Sequence, residues 1–439
     1  MSDALSIRSH PDLDQYKELA EDLQRACRSA DPAAMGAWAV GWLEMLARLD
    51  GADPTALERR AAIAHQAGRI RERWRAFIDD GGRHASCLLA DAQLFVAREH
   101  GFNSWPTFAS HIDALKRPES AVSTFEAAVD AIVAGDAATL RRLLRERPEL
   151  VQARSTRDHQ STLLHYVSAN GVEDFRQITP SNIVEITRIL LEAGADVNAT
   201  SEAYGGGSTA LGLAATSLHP QRAGVQIALL ETLLGHGARI EQSAAHDDGA
   251  AITGCLANGQ PEAARYLASR GAVLNLEGAA GLGRLDVVRT YFDDRTARVE
   301  PPTAAQLAGG FLYACGYGHA DVVRFLLERG VDPDVRNRAN ECGLHWASFG
   351  PHPEVARLLL DRHAAIDVRD DVHKGTPLDW VLFSWAKAEG AWRERGYETV
   401  RLLVAAGAHV EIPWLVESDA ADEVRRDSRM LEILRGRAI

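Results

Sequence analysis

The sequence predicts an all-α chain: a solenoid of helix-turn-helix units with short hairpin turns, preceded by a helical N-terminal domain. Three observations carry this expectation. A Gly-led phrase recurs after apolar helical stretches, at intervals that fall as low as 33 residues. A second, Thr-led phrase recurs near the start of the same segments. The first 118 residues lack both phrases, yet carry apolar positions at helical spacing.

The chain has 439 residues, 46% hydrophobic and 25% charged. That is enough apolar material for a packed core, and a repeat array grows by adding neighbours rather than by enlarging one core. The net charge is -13. An acidic surface repels phosphate backbones, so nucleic acid is a poor partner. The run Arg69, Arg71, Arg73, Arg75 reads as a solvated helix face. Five cysteines are scattered without a Cys-x-x-Cys pair, which predicts reduced thiols in a cytoplasmic protein. The polar N-terminus shows no secretory signal, and no apolar run approaches the roughly 18 residues that span a bilayer.

Within residues 1–118, PDLDQYKELAEDLQRACR reads as a helix that Asp12 caps. ALERRAAIAHQAGRIRERWRAFI is a second helical run. LADAQLFVAREHGFNSWPTFASHIDALKR (89–117) has a helix, a turn at Gly101 and a second helix. As a DNA reader that second helix lacks the Arg, Lys, Asn or Gln that meet base edges. Trp105 and Phe108 read instead as core residues that dock the segment onto the first repeats.

From 119 to 411 the array accounts for about eight units, the first from Phe125. Its closing phrase is Gly194-Ala195-Asp196-Val197-Asn198, then Gly237-Ala238-Arg239-Ile240-Glu241 and Gly271-Ala272-Val273-Leu274-Asn275. It returns at Gly330-Val331-Asp332-Pro333-Asp334, at His363 and at Gly407. The interval from 271 to 330 is too long for one unit and predicts a shortened repeat near Gly283-Arg284-Leu285-Asp286-Val287-Val288, a string that matches Gly318-His319-Ala320-Asp321-Val322-Val323. The opening phrase is Thr376-Pro377-Leu378-Asp379 and Thr162-Leu163-Leu164-His165, with weaker copies at Thr209 and Cys342. Thr caps a first helix, Pro suits its first turn, and Gly closes the second.

On these motifs, residues from about 120 to 411 resemble ankyrin repeats, and 89–117 is similar to a segment that precedes ankyrin arrays in bacterial proteins. The resemblance implies a binding module or scaffold that recognises another protein through a concave surface. Three units depart from it by insertions after their first helix, at 172–182, 218–224 and 386–396. These read as tolerated loop growth or as a shared rim. Residues 412–439 read as a polar capping helix.

No phosphate loop, dinucleotide fingerprint, nucleophile elbow or zinc-hydrolase motif occurs, so no catalytic residue and no cofactor is assigned. Tyr204-Gly205-Gly206-Gly207-Ser208 reads as a hairpin rather than an anion cradle. Cys342 and His345, with His319 or His352, have the look of metal ligands. But His345 and His165 occupy a motif position where histidine bonds loop backbone, so no metal is assigned. Five of nine tryptophans, Trp346, Trp380, Trp385, Trp392 and Trp414, fall in the last repeats. The candidate binding surface is Tyr166, Tyr313, His345, Trp346, Asp379, Trp380 and Trp385. A second reading is an atypical enzyme or small-molecule binder with a pocket near 345–392. A third, an adaptor that puts 89–117 on nucleic acid, is opposed by the acidic charge.

Overall fold

The computed structural model describes residues 5, 12–29, 31, 33–49, 53–80, 87–241, 250–293, 302–409 and 419–436. The chain divides into two compact units, Met1–Ala245 and His246–Ile439.

The first unit opens with five helices: α1 (Leu13–Arg28), α2 (Ala34–Leu49), α3 (Leu57–Asp80), α4 (Leu89–Glu99) and α5 (Trp105–Leu115). The Asp12 carboxylate accepts from the Asp14 N–H and caps α1. Tyr16, Leu19, Ala20 and Leu23 bury one face of α1 at the 3.6-residue period. They join Trp42, Ile70, Phe95 and Phe102 in one apolar cluster. Phe108 of α5 is fully buried in that cluster, against Tyr16, His100 and Phe102 at ring separations of 5.0–5.4 Å. Trp105 packs on the same cluster. Both residues therefore knit the N-terminal helices together, where docking onto the repeats was expected. The exposed positions of α5 include Pro106, Thr107, Ser110 and Asp113, which bring no basic group to a nucleic acid.

Helix packing also joins Cys27 of α1 to Cys87 in a disulfide, with Cα atoms 6.0 Å apart. The expectation of reduced thiols fails for this pair. The two are 60 residues apart in sequence, and spacing alone does not reveal that their Cα atoms meet. Cys255, Cys315 and Cys342 are free and buried. Cys27→Ser is expected to lose about 4 kcal/mol through the freed loop of the unfolded chain. A melting temperature of the first unit that does not change on this substitution would rule that out. The arginine run is also divided: Arg69 and Arg75 are exposed, whereas Arg73 bonds both oxygens of Glu99 at 2.8 and 2.6 Å.

Helices then follow in pairs. In the first unit these are α6 (Ala121–Ala134) with α7 (Ala137–Glu146), and a 3-10 turn (Leu163–Ser168) with α8 (Ile183–Glu192). Next come α9 (Ala210–Thr216), α10 (Leu218–Arg222) and α11 (Gln226–Gly235). Strands β1 (Thr200–Ser201) and β2 (Ser208–Thr209) pair antiparallel, and Gly205, Gly206 and Gly207 turn the hairpin with positive φ. The bridges Arg154 to Thr162 and Arg336 to Cys342 mark hairpins at equivalent places.

The second unit pairs α12 (Ala250–Ala257) with α13 (Pro261–Ser269), and α14 (Leu276–Gly281) with α15 (Leu285–Thr290). It continues with α16 (Ala304–Gly316) and α17 (Ala320–Glu328), α18 (Gly343–Phe349) and α19 (Pro353–Leu360), then α20 (Pro377–Ala386) and α21 (Gly390–Ala406). The pair α14–α15, six residues each, fills the long interval between 271 and 330. Successive pairs share a histidine device. His319 and His352, before α17 and α19, bond Gly281 O and Gly316 O of the preceding pair at 3.0 and 2.9 Å. Each ring lies against Gly283 or Gly318, where φ is +70° or +77° and a Cβ would collide with it. One apolar cluster runs from Leu276 through Leu326, Leu359 and Leu403 to Leu434, as stacked units require.

Where one capping helix is expected over 412–439, two form: α22 (Asp419–Arg426) and α23 (Ser428–Arg435). Asp427 between them has extended backbone and caps α23 through the Met430 N–H. Its carboxylate also takes bonds from Tyr397 (2.6 Å) and Arg393 (3.2 Å) of α21. The three insertions are built segments. The first carries a 3-10 turn (Asp174–Arg176), the second is α10, and the third extends α21 to 17 residues.

Candidate binding surface

The opening motif is a reciprocal cap. Asp379 N–H donates to Thr376 Oγ1 (3.3 Å) and Asp379 Oδ2 accepts from Thr376 N–H (2.8 Å). The imidazole of His165 accepts from Thr162 N–H at 3.1 Å, and that of His345 from Cys342 N–H at 3.2 Å. Each histidine bonds onward through Nε2, His165 to Ser208 O and His345 to Gly375 O, both at 3.2 Å. One ring thus caps its own helix and holds the next hairpin. Burial keeps these rings neutral, pushing His165 down to about 4 and lowering His345. His345 and Asp379 were expected on the binding surface. They are buried, with their polar atoms spent on these caps.

Tyr166 and Trp385 also leave the expected surface, because neither exposes any side chain. Tyr166 reaches Glu173 through its hydroxyl (3.4 Å). Trp385 faces inward from α20, with Tyr397 edge-on at 5.4 Å and the Arg393 guanidinium 4.1 Å over its ring. Trp414 lies outside the described residues.

Tyr313, Trp346 and Trp380 are half-buried on α16, α18 and α20, the first helices of three successive pairs. Tyr313 and Trp346 pack edge to face at 5.8 Å. The Trp346 indole N–H donates to Glu341 Oε2 at 3.2 Å. That of Trp380 donates to Asp370 Oδ2 at 3.1 Å. Asp370 is fully buried and also accepts from the N–H groups of Val372, His373 and Gly375 at 2.6–2.9 Å. Burial alone would raise its pKa, but these donors outweigh it and hold the carboxyl below its ordinary value. With both indole N–H groups satisfied, the remaining faces of the rings are apolar.

Two residues of this row were missed in the sequence. Phe349 is 50% exposed beside Trp380 at 5.9 Å, and Phe383 is 42% exposed under the Lys387 ammonium at 3.8 Å. Each stands three positions after a tryptophan, so helical spacing was the available signal. Trp392, 41% exposed, ties back to Ser384 Oγ at 3.2 Å.

The strongest electrostatics lie in the first unit. Glu126 of α6 bonds Arg157 (2.7 Å) and Arg176 (2.6 Å), and Arg157 also pairs with Glu173 at 2.8 Å. Arg176 continues to the exposed Asp130 at 2.7 Å. Burial would raise both glutamates, but Arg157 and Arg176 dominate, holding Glu126 at about 2 and Glu173 far below the carboxylate range. Two Glu and two Arg balance each other, so the arrangement is a buried clamp. Glu173 and Arg176 belong to the first insertion, which is therefore pinned into the core rather than tolerated on the surface.

Comparison with known proteins supports the repeat reading for part of the chain. Residues 311–413 match the family of ankyrin repeats (3 copies). A stretch of 94 residues is 30% identical to Inversin of Danio rerio, covering 21% of this chain and only 9% of that protein's length. The chain is mostly helical, with ankyrin repeats in its C-terminal region and a helical N-terminal region.

Proposed function

We propose that this chain is a scaffold that recognises another protein through the first helices of its C-terminal repeats. The observation that carries the reading is the exposure of Phe349 and Phe383 beside Trp346 and Trp380. Aromatic side chains of this kind act as anchors, and ankyrin stacks generally serve protein–protein recognition. The array is taken as 119–411, with 1–118 as a separate helical region. The small-molecule or enzyme reading near 345–392 has less support, since His345 and Asp379 are occupied in caps. No helix among the described residues is long and apolar enough to cross a membrane. A bacterial, cytoplasmic setting rests on the resemblance of 89–117 and the free Cys255, Cys315 and Cys342. The Cys27–Cys87 bond weighs against it, because disulfides are rare in reducing cytosol.

The test is affinity capture from native lysate with wild type and the Phe349→Ser, Phe383→Ser double variant. These two rings are more than a third exposed, so the variant should melt with the wild type. A bound protein should be lost by roughly thirtyfold, as for an anchor worth about 2 kcal/mol. Equal recovery by both proteins would remove this face as the recognition surface. Trp380→Ala is the poorer probe, because it also strips a donor from buried Asp370.

A further inference from the structure

We propose, on the reading that this face recognises a protein, that its occupant is an acidic and apolar segment of the partner, in which Asp or Glu stands beside the apolar anchors. Three exposed aromatic side chains meet here. Phe349 ends α18, Phe383 occupies the equivalent place in α20, and Trp392 comes from the third insertion. Ser384 ties them together. Its hydroxyl donates to Phe349 O (2.7 Å) and accepts from the Trp392 indole N–H (3.2 Å). Ser384 is only 9% exposed, so both bonds are largely shielded from water and hold the insertion against the repeat. A row of rings fixed in advance lowers the ordering cost of binding.

Cations cover this row. The Lys387 ammonium lies 3.8 Å over the Phe383 ring, and the Arg395 guanidinium 5.3 Å over that of Trp392. The Arg395 charge also disfavours protonation of His352, three positions after Phe349. Among the described residues neither cation forms an ion pair. Their charged neighbours are engaged elsewhere. Arg393 is held by Glu423 (2.9 Å) and Asp427 (3.2 Å), and Glu394 by Arg429 (2.8 Å). Glu389, at the N-cap of α21, is the remaining acid along 386–396. Two cations therefore face one carboxylate, and both cations stand at the anchors themselves.

Those cations decide what can approach. A basic segment would bring like charge onto ring faces that a cation already engages, at a cost in binding. A neutral segment would cover two charges with apolar side chains and leave them unpaired. A carboxylate beside each apolar anchor removes both penalties, because the anchor covers a ring while the acid meets Lys387 or Arg395. On a chain of net charge -13 the pair also discriminates, since the rest of the surface turns acidic segments away. A polynucleotide needs a cation for each of many phosphates and finds only these two in the same acidic field.

A displayed library of random short peptides is selected on the full chain. Each enriched sequence is rescored on Phe349→Ser with Phe383→Ser, so that only anchor-dependent binders count. These binders are expected to carry Asp or Glu beside Leu, Phe or Trp and to release as salt rises. They should lose about tenfold or more in affinity on Lys387→Glu with Arg395→Glu, and less, in the same direction, on Lys387→Gln with Arg395→Gln. The charge-reversed chain should itself select Lys or Arg at those places. Both positions are exposed, and each variant is first matched to wild type in thermal melting. Anchor-dependent binders that carry no excess of acid, or that ignore the charge reversal, would overturn the acidic partner while leaving the recognition face standing. If no sequence depends on Phe349 and Phe383, the face and the acidic partner fall together. Displacement of the peptides by a polythymidylate strand, or a wild-type dimer that the anchor substitutions dissolve, would overturn the assignment in favour of nucleic acid or a second copy.

Discussion

Glu173→Gln is expected to destabilise the first unit by about 3–5 kcal/mol, the usual cost of removing one partner from a buried ion pair. Glu173 is 1% exposed, and its carboxylate is shared by Arg157 at 2.8 Å and Arg176 at 3.5 Å. A neutral amide of the same shape keeps the packing but leaves Arg157 and Arg176 with Glu126 as their buried counter-charge and Asp130, 67% exposed, at the solvent edge. The excess of buried positive charge, which the solvent-screened Asp130 offsets only weakly, is the source of the loss. Asp130→Asn removes a charge from the same network at a side chain that is 67% exposed, and should cost only a small fraction as much. Hydrogen exchange measured peptide by peptide separates the two. Glu173→Gln should strip protection from 121–192, where α6, the clamp and α8 lie, while Asp130→Asn leaves it intact. Equal protection in both variants would mean that the network is not what holds the insertion.

Acid should unfold the chain at a pH above that at which its carboxylates take up protons, because several histidines are buried neutral. Burial pushes His100 down to about 3, and His111, His165 and His352 to about 4. For His352 burial outweighs even its bond to Gly316 O, which works in the opposite direction. Above the ordinary histidine value of about 6.5, folded and unfolded chains are both neutral at these positions and the full stability is present. Between about 6.5 and 4 the unfolded chain binds protons that the folded chain refuses, so stability falls as pH falls. Each unit of depression is worth about 1.4 kcal/mol. Glu126 and Glu173 contribute in a lower window: their depressed values stabilise above the ordinary carboxylate range and are lost as pH falls further. Urea midpoints taken from neutral pH down to about 4.5 should therefore drop steeply before the carboxylates titrate. His352→Gln should lower the midpoint at neutral pH, through the lost bond to Gly316 O, and should flatten the drop. Midpoints that hold constant down to about pH 4.5 would contradict the neutral, buried assignment.

The array was legible because its signals are local. A Thr or Cys cap, a histidine or aspartate three residues on, and a closing glycine each act within one turn of chain, and they recur in register. Even the shortened α14–α15 pair left its trace in Gly283-Arg284-Leu285-Asp286. Helix geometry also held more about the aromatic row than was drawn from it. Trp380 and Phe383 lie about 60° apart around α20, whereas Trp380 and Trp385 lie about 140° apart, so the first two share a face and the last does not.

Which of those faces meets solvent was decided only by the neighbouring helices. Trp385 is sealed by Tyr397 and Arg393 of α21, while Phe383 stays 42% exposed beneath the Lys387 ammonium. The same holds for the buried clamp and the Cys27–Cys87 bond. Each joins residues far apart in the chain: 31 for Glu126 and Arg157, 60 for the disulfide. Local pattern determines that helices form, where they start and stop, and that they stack. Burial and charge pairing depend on which side chains the stack brings together, and that is a property of the tertiary structure alone.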